Sequence, residues 1–129
     1  MTLYDNQNYA QEEISSILAR IRSCVEKNRY TISLNENRQK NIDFINEYNI
    51  CSDKQKSILI KIKTDDFRQC VQNTNPGFEY EILYVFVSRV QLVNAEGIEE
   101  TVDVYIKLYV VDLPTSSWTV VISFHKKDR

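Results

Sequence analysis

A chain of 129 residues with 43% hydrophobic and 26% charged side chains is globular in composition and of a length suited to one domain. Sixteen Lys and Arg against eighteen Asp and Glu give a net charge of −2 and a pI near 5.4, which excludes a basic nucleic-acid footprint spread over the whole surface and leaves only a local one. Two Gly, two Pro, three Cys and one His exclude a glycine-rich phosphate loop, a proline-rich linker, a disulfide scaffold and a zinc pattern.

Residues 1–8 lack the basic and apolar parts of a signal peptide and are expected to be flexible, so the reading is one domain over residues 1–129. No apolar run reaches the ~20 residues of a membrane span, and the cytoplasm is the expected compartment. Ile14, Ile17, Leu18, Ile21, Cys24 and Val25 recur at helical spacing and predict a helix over residues 9–27, with Asn8 as its cap and Gln11 completing a capping box. Arg20, Arg22 and Lys27 fall off that stripe and are expected to be solvated. An extended piece over residues 30–34 precedes a second helix over residues 37–48, which buries Phe44, Ile45 and Tyr48.

Residues 57–63 fit either a strand or a helix turning into a strand. Asp65 or Asp66 is expected to cap a helical turn running through Gln72. Residues 73–77 (Asn-Thr-Asn-Pro-Gly) form a turn cluster, and residues 79–92 read as strand. A turn at residues 94–97 leads into a long strand over residues 102–111, and a second turn at 113–117 leads into a last strand over 118–125.

The final hairpin alternates, so residues two apart share a face. Val102, Val104, Ile106, Leu108 and Val110 fall on one side, and Val120, Ile122 and Phe124 are expected beside them. With the turn centred near Thr115, Ile106 faces Phe124, Leu108 faces Ile122, Tyr105 faces His125 and Lys107 faces Ser123. With the preceding turn centred near Glu96, Arg89 faces Asp103 and Val87 faces Tyr105. A phenol, an ammonium, a hydroxyl and the chain's one imidazole then meet on an open sheet face. The expected fold is α+β, with N-terminal helices packed on the apolar face of a three- or four-stranded antiparallel sheet.

Those residue types suit metal-independent RNA cleavage. Histidine serves either proton role, a fixed Lys or Arg answers the charge of the phosphorane, and Tyr donates a hydrogen bond. Each also has an ordinary reading: a structural histidine, a half-buried packing tyrosine, and an edge-strand lysine that deters aggregation. Arg89 and Asp103 make an ordinary cross-strand pair. Trp118, Tyr80, Tyr84 and Tyr109 fit a core or rim role or a platform for bases. The three cysteines are expected to be buried, and the basic tail after His125 reads as solubility or as a local footprint.

The order of the elements and several local sequences resemble the MqsR-type toxins of bacterial toxin–antitoxin pairs, whose fold belongs with the RelE/ParE-like small ribonucleases. The residues that carry the resemblance are Arg38-Gln-Lys-Asn41, the Ile-Leu pair at 58–59 followed by Asp-Asp-Phe at 65–67, Val-Tyr-Ile-Lys-Leu at 104–108 and Val-Val-Ile-Ser-Phe-His at 120–125. The resemblance implies a RelE-like fold and an endoribonuclease that cleaves single-stranded messenger RNA without metal or cofactor and so inhibits translation. It also implies a cognate antitoxin as partner, of zinc-finger or helix-turn-helix type, and no membrane. The family's catalytic tyrosine falls on Tyr105, its basic residue after Ser-Phe on His125 with Lys126 beside it, and its basic or amide residue after Asp-Phe on Arg68 or Gln69. The catalytic candidates are therefore Tyr105, His125, Lys107 and Arg68, and the RNA-binding candidates Arg89, Lys126, Gln69 and Lys127. Relatives often carry Gly-Pro where this chain has Arg68-Gln-Cys70, so a catalytically inactive protein-binding module of the same fold is the alternative reading.

Overall fold

The computed structural model describes residues 3–5, 11–72, 76–77 and 82–127. Its class is α+β. Six strands form one mixed sheet in the order β1-β3-β4-β5-β6-β2, where β1 is Leu3–Asp5, β2 Tyr30–Ile32, β3 Phe67–Gln72, β4 Ile82–Val93, β5 Glu99–Asp112 and β6 Ser117–Lys126. Three α-helices, α1 (Gln11–Glu26), α2 (Gln39–Glu47) and α3 (Ser52–Ile60), supply the other layer. The sheet is thus larger than the three or four strands expected, and β2 runs parallel to β6 where an all-antiparallel sheet was expected. The short strand β1 escaped notice because three residues are too few to show a period, whereas the extended piece expected over residues 30–34 is β2. Apart from Leu3–Asp5, the flexibility expected for residues 1–8 lies outside the described residues, as does the cap expected at Asn8.

Two of the three helices end where asparagine takes up the left-handed conformation. Asn28 (φ 60°) stops α1 and Asn49 (φ 47°) stops α2, serving where this glycine-poor chain has no Gly. Residues 57–63 belong to the end of α3 and the segment after it: Ile58, Leu59 and Ile62 are buried and Ile60 only half-buried, so the apparent alternation of isoleucines was accidental. Arg22 is not solvated. Its guanidinium donates to the carbonyls of Ile60 (3.1 Å) and Ile62 (2.9 Å), capping the end of α3. Arg20 pairs with Asp112 at the far end of β5.

The helical turn expected through Gln72 is the strand β3 instead, preceded by a short 3-10 turn at Thr64–Asp66. Phe67, Cys70 and Val71 are buried at helix-like spacing for two reasons. The register slips between Phe67 and Gln69, and the strand is buried on both faces. Burial on both faces also explains the unbroken apolar run that opens β4, where Leu83, Val85 and Val87 are buried opposite the helices. On the helix side Phe86, Val104, Ile106, Leu108, Val121 and Phe124 are inaccessible to solvent and pack with Leu18, Ile21, Val25, Leu59 and Ile62. Burial of this kind stabilises by about 25 cal/mol per Å² of apolar area removed from water. Cys24 and Cys70 are buried, but Cys51 is exposed, contrary to expectation.

Candidate functional site

Two long hairpins fix the open face. In the first, Arg89 lies opposite Asp103 and Val87 opposite Tyr105. In the second, Tyr105 lies opposite His125, Ile106 opposite Phe124, and Lys107 opposite Ser123, as the alternation predicts. Leu108, however, lies opposite Val121, because the register shifts by one residue there and Ile122 becomes a bulge. The bulge reverses the alternation along β6, so Thr119 and Val121 join Phe124 on the core side and Val120 does not.

Asn41 holds that bulge. Its side chain is 1% exposed, and its amide nitrogen donates to the carbonyls of Ser33 and Ile122, each at 2.9 Å. Its amide oxygen accepts from the Phe124 N–H at 2.9 Å. The backbone groups that β2 and β5 leave unpaired around Ile122 thus find partners within the first turn of α2. Sequence reading placed Asn41 in the Arg38–Asn41 motif but gave it no structural role. The available signal was a polar residue on the same stripe as the buried Phe44 and Tyr48.

The Tyr105 and His125 rings stack, with centroids 5.4 Å apart and planes 16° from parallel. His125 Nδ1 sits 2.8 Å from the Lys126 carbonyl oxygen. A carbonyl only accepts, so Nδ1 carries the proton and a neutral ring keeps its lone pair on Nε2. Burial pushes the Tyr105 phenol above its ordinary 10.0, so it is a neutral donor at physiological pH. Lys107 is half-buried, and its ammonium is held below the usual 10.5, first by that burial and second by the like charge of Arg38.

The remaining candidates divide. Gln69 lies in the same row of the sheet, opposite Val85, which is in turn opposite Lys107, so it stands roughly 10 Å from Lys107 at the usual strand spacing. Arg68 sits at the β3 register slip, and its guanidinium donates to the carbonyls of Asp65 (3.1 Å) and Phe67 (3.2 Å), its own neighbours. Arg89 shares the open face and binds Asp103 at 3.2 Å, a pair largely in solvent. The backbone N–H of Lys127 donates to the Asp103 carbonyl (2.8 Å), continuing the strand pairing beyond His125.

Lys126 stands apart. It faces the helix layer, bonds Glu47 at 2.8 Å and lies over the Tyr48 ring, 5.0 Å from its centroid. Those partners raise its pKa, Glu47 foremost. Among the aromatic candidates, Trp118 donates its indole N–H to Thr31 (3.0 Å), Tyr84 packs against the core, and Tyr80 lies outside the described residues.

Sequence reading also passed over Arg38 and Lys40 as site residues. They line a groove of about 380 Å³ together with Ser123 and His125. Their proximity follows from the Asn41 clamp, which draws the start of α2 against β6. Comparison with protein-family models, with curated proteins and with solved structures finds no match to this chain.

Proposed function

We propose that this chain is a metal-independent endoribonuclease that cleaves single-stranded messenger RNA in the cytoplasm. In this reading it is the toxin of a bacterial toxin–antitoxin pair, akin to the MqsR-type toxins and their RelE-like fold, and is silenced by a cognate antitoxin. The observation that carries the reading is Tyr105 stacked on His125, with Lys107 in the adjacent pair on the same open face.

In the proposed reaction the ribose 2′-oxygen attacks the adjacent phosphorus while His125 Nε2 takes its proton. The imidazolium so formed keeps its Nδ1–H on the Lys126 carbonyl. Negative charge gathering on the phosphorane is met by the Lys107 ammonium and by a hydrogen bond from the Tyr105 hydroxyl. The bond from phosphorus to the 5′-oxygen then breaks. Lys107, whose lowered pKa makes it a readier acid, gives the 5′-oxygen its proton. The products are a 2′,3′-cyclic phosphate and a 5′-hydroxyl, so every proton removed is matched by one delivered.

The test is cleavage of a defined messenger RNA by purified protein in EDTA. The wild type should cut, and His125→Ala should lose about 10²- to 10⁴-fold in kcat, the range for a proton-transferring group. Tyr105→Phe, which keeps the stacked ring and loses only the hydroxyl, should also be slower. No cleavage by the wild type, with ribosomes supplied, would leave the protein-binding module as the better reading.

A further inference from the structure

The groove beside His125 lies along the part of β6 that β2 does not reach. Strand β2 pairs with β6 only over Thr119–Val121, and Ser33 adds one more bond to Val121 (2.9 Å). Beyond that point the edge of β6 is met by the Asn41 side chain, which turns the first residues of α2 and the short 3-10 turn before it (Glu36–Arg38) toward the open face. The groove walls therefore come from two elements: Arg38 and Lys40 on one side, and Ser123 and His125 on the other. Glu36 is the one carboxylate among the lining residues.

Among the described residues Arg38 makes no ion pair, and neither does Lys107, which stands opposite Ser123. Two cations with no carboxylate partner among the described residues, near one partly buried wall, repel each other: the Lys107 pKa is lowered first by burial and then by the Arg38 charge. The fold keeps them together because the clamp on the β6 bulge fixes where α2 begins. An anion lying between them would replace the repulsion with attraction on both sides. A guanidinium presents two parallel donors that match two phosphate oxygens.

We infer that the groove lined by Arg38, Lys40, Ser123 and His125 is a phosphate-binding subsite that receives the RNA phosphodiester next to the scissile one. Arg38 is its principal donor. The choice of RNA as the ligand rests on the ribonuclease reading, whereas the groove and its charge do not. On this inference the strand enters along the β6 edge, beside α2, and leaves across the sheet toward Gln69. That path gives the chain a local basic track despite its acidic balance of −2.

The experiment is binding of a fluorescent eight-nucleotide 2′-O-methyl RNA, which has no attacking hydroxyl, to the full chain at several salt concentrations. Arg38→Gln should weaken binding by about tenfold, the usual scale for one charge-assisted hydrogen bond. It should also flatten the slope of log affinity against log salt by about 0.7, the value for one single-strand phosphate contact. Lys61→Ala, which removes an exposed cation after α3, should change neither.

If Arg38→Gln binds like the wild type or like Lys61→Ala, or if the wild type does not bind, the subsite is overturned. Inorganic phosphate binding as tightly as the oligonucleotide would overturn it in favour of a free-anion site. Arg38-dependent binding without cleavage of unmodified RNA would refute the ribonuclease reading and leave the subsite standing. Cleavage without Arg38 dependence would do the reverse.

Discussion

Lys107 shows how one residue's surroundings set its chemistry. In the open it would be a permanent charge. Half-buried and near Arg38, it releases its proton below 10.5. If it is the acid for the leaving oxygen, activity should fall on the alkaline side at a pH below that ordinary value, as the ammonium is lost. Arg38→Gln removes the like charge and should move the limb upward, while Lys107→Arg keeps the charge, gives up the releasable proton and should lower kcat more than it changes KM. A pH profile of kcat for the three proteins checks all of this. Stability carries the opposite sign. The unfolded chain binds the Lys107 proton more tightly than the folded one, so the folded state gains stability as pH rises toward 10.5. That rise should be smaller in Lys107→Met, as read from urea midpoints at neutral and alkaline pH.

At the scale of the element, β6 and α2 form one unit through Asn41. Asn41→Ala would strand the Phe124 N–H and the Ile122 and Ser33 carbonyls, groups now bonded at 2.9 Å each. A loss of about 2–4 kcal/mol in urea unfolding is expected. The same region shows what a sequence can and cannot reveal. The pairing of Tyr105 with His125 was legible because both strands are long and alternate cleanly. It came out right partly through two offsetting errors. The turn closes from Leu113 to Ser116 (2.7 Å), half a residue short of the assumed centre at Thr115, and the bulge at Ile122 adds the missing residue. Leu108 and Ile122, on the far side of the bulge, show the error openly. Nothing local in β6 announces the bulge, since its stabilising partner lies far back in the chain. Arg38 was illegible as a site residue for the same reason: its place beside His125 depends on a tertiary contact, not on its own segment.

At the scale of the molecule, the sheet is asymmetric. Strands β3 and β4 bury Val71, Leu83, Val85 and Val87 on the face away from the helices, while β5 and β6 carry Tyr105, Lys107, Ser123 and His125 on that same face. The polar half is held in position by the core beneath it, where Ile106 and Phe124 are inaccessible to solvent. Ile106→Ala should cost about 2–5 kcal/mol in urea unfolding. Domains of this kind are stable by only about 5–15 kcal/mol, so the loss would be a large share of the total. The class of the fold was legible from helical stripes followed by alternating strands, but the size of the sheet was not, because β1 is too short to show a period and nothing in the extended piece at 30–34 marks its distant partner β6.

The sheet order has a consequence for how the molecule is made. Strand β6 follows every other described element in the chain, yet it sits between β5 and β2, and both α1 and α2 rest on it. During synthesis the helices emerge well before the strand they cover, and β2 waits for a parallel partner 89 residues further along the chain. Contacts between such distant segments slow folding, since the loop must close before they form. Until β6 arrives, Tyr105 has no imidazole to stack on and Asn41 has no bulge to hold. A half-made chain therefore carries no assembled candidate site, and the face is completed only when β6 slots in between β5 and the edge strand β2.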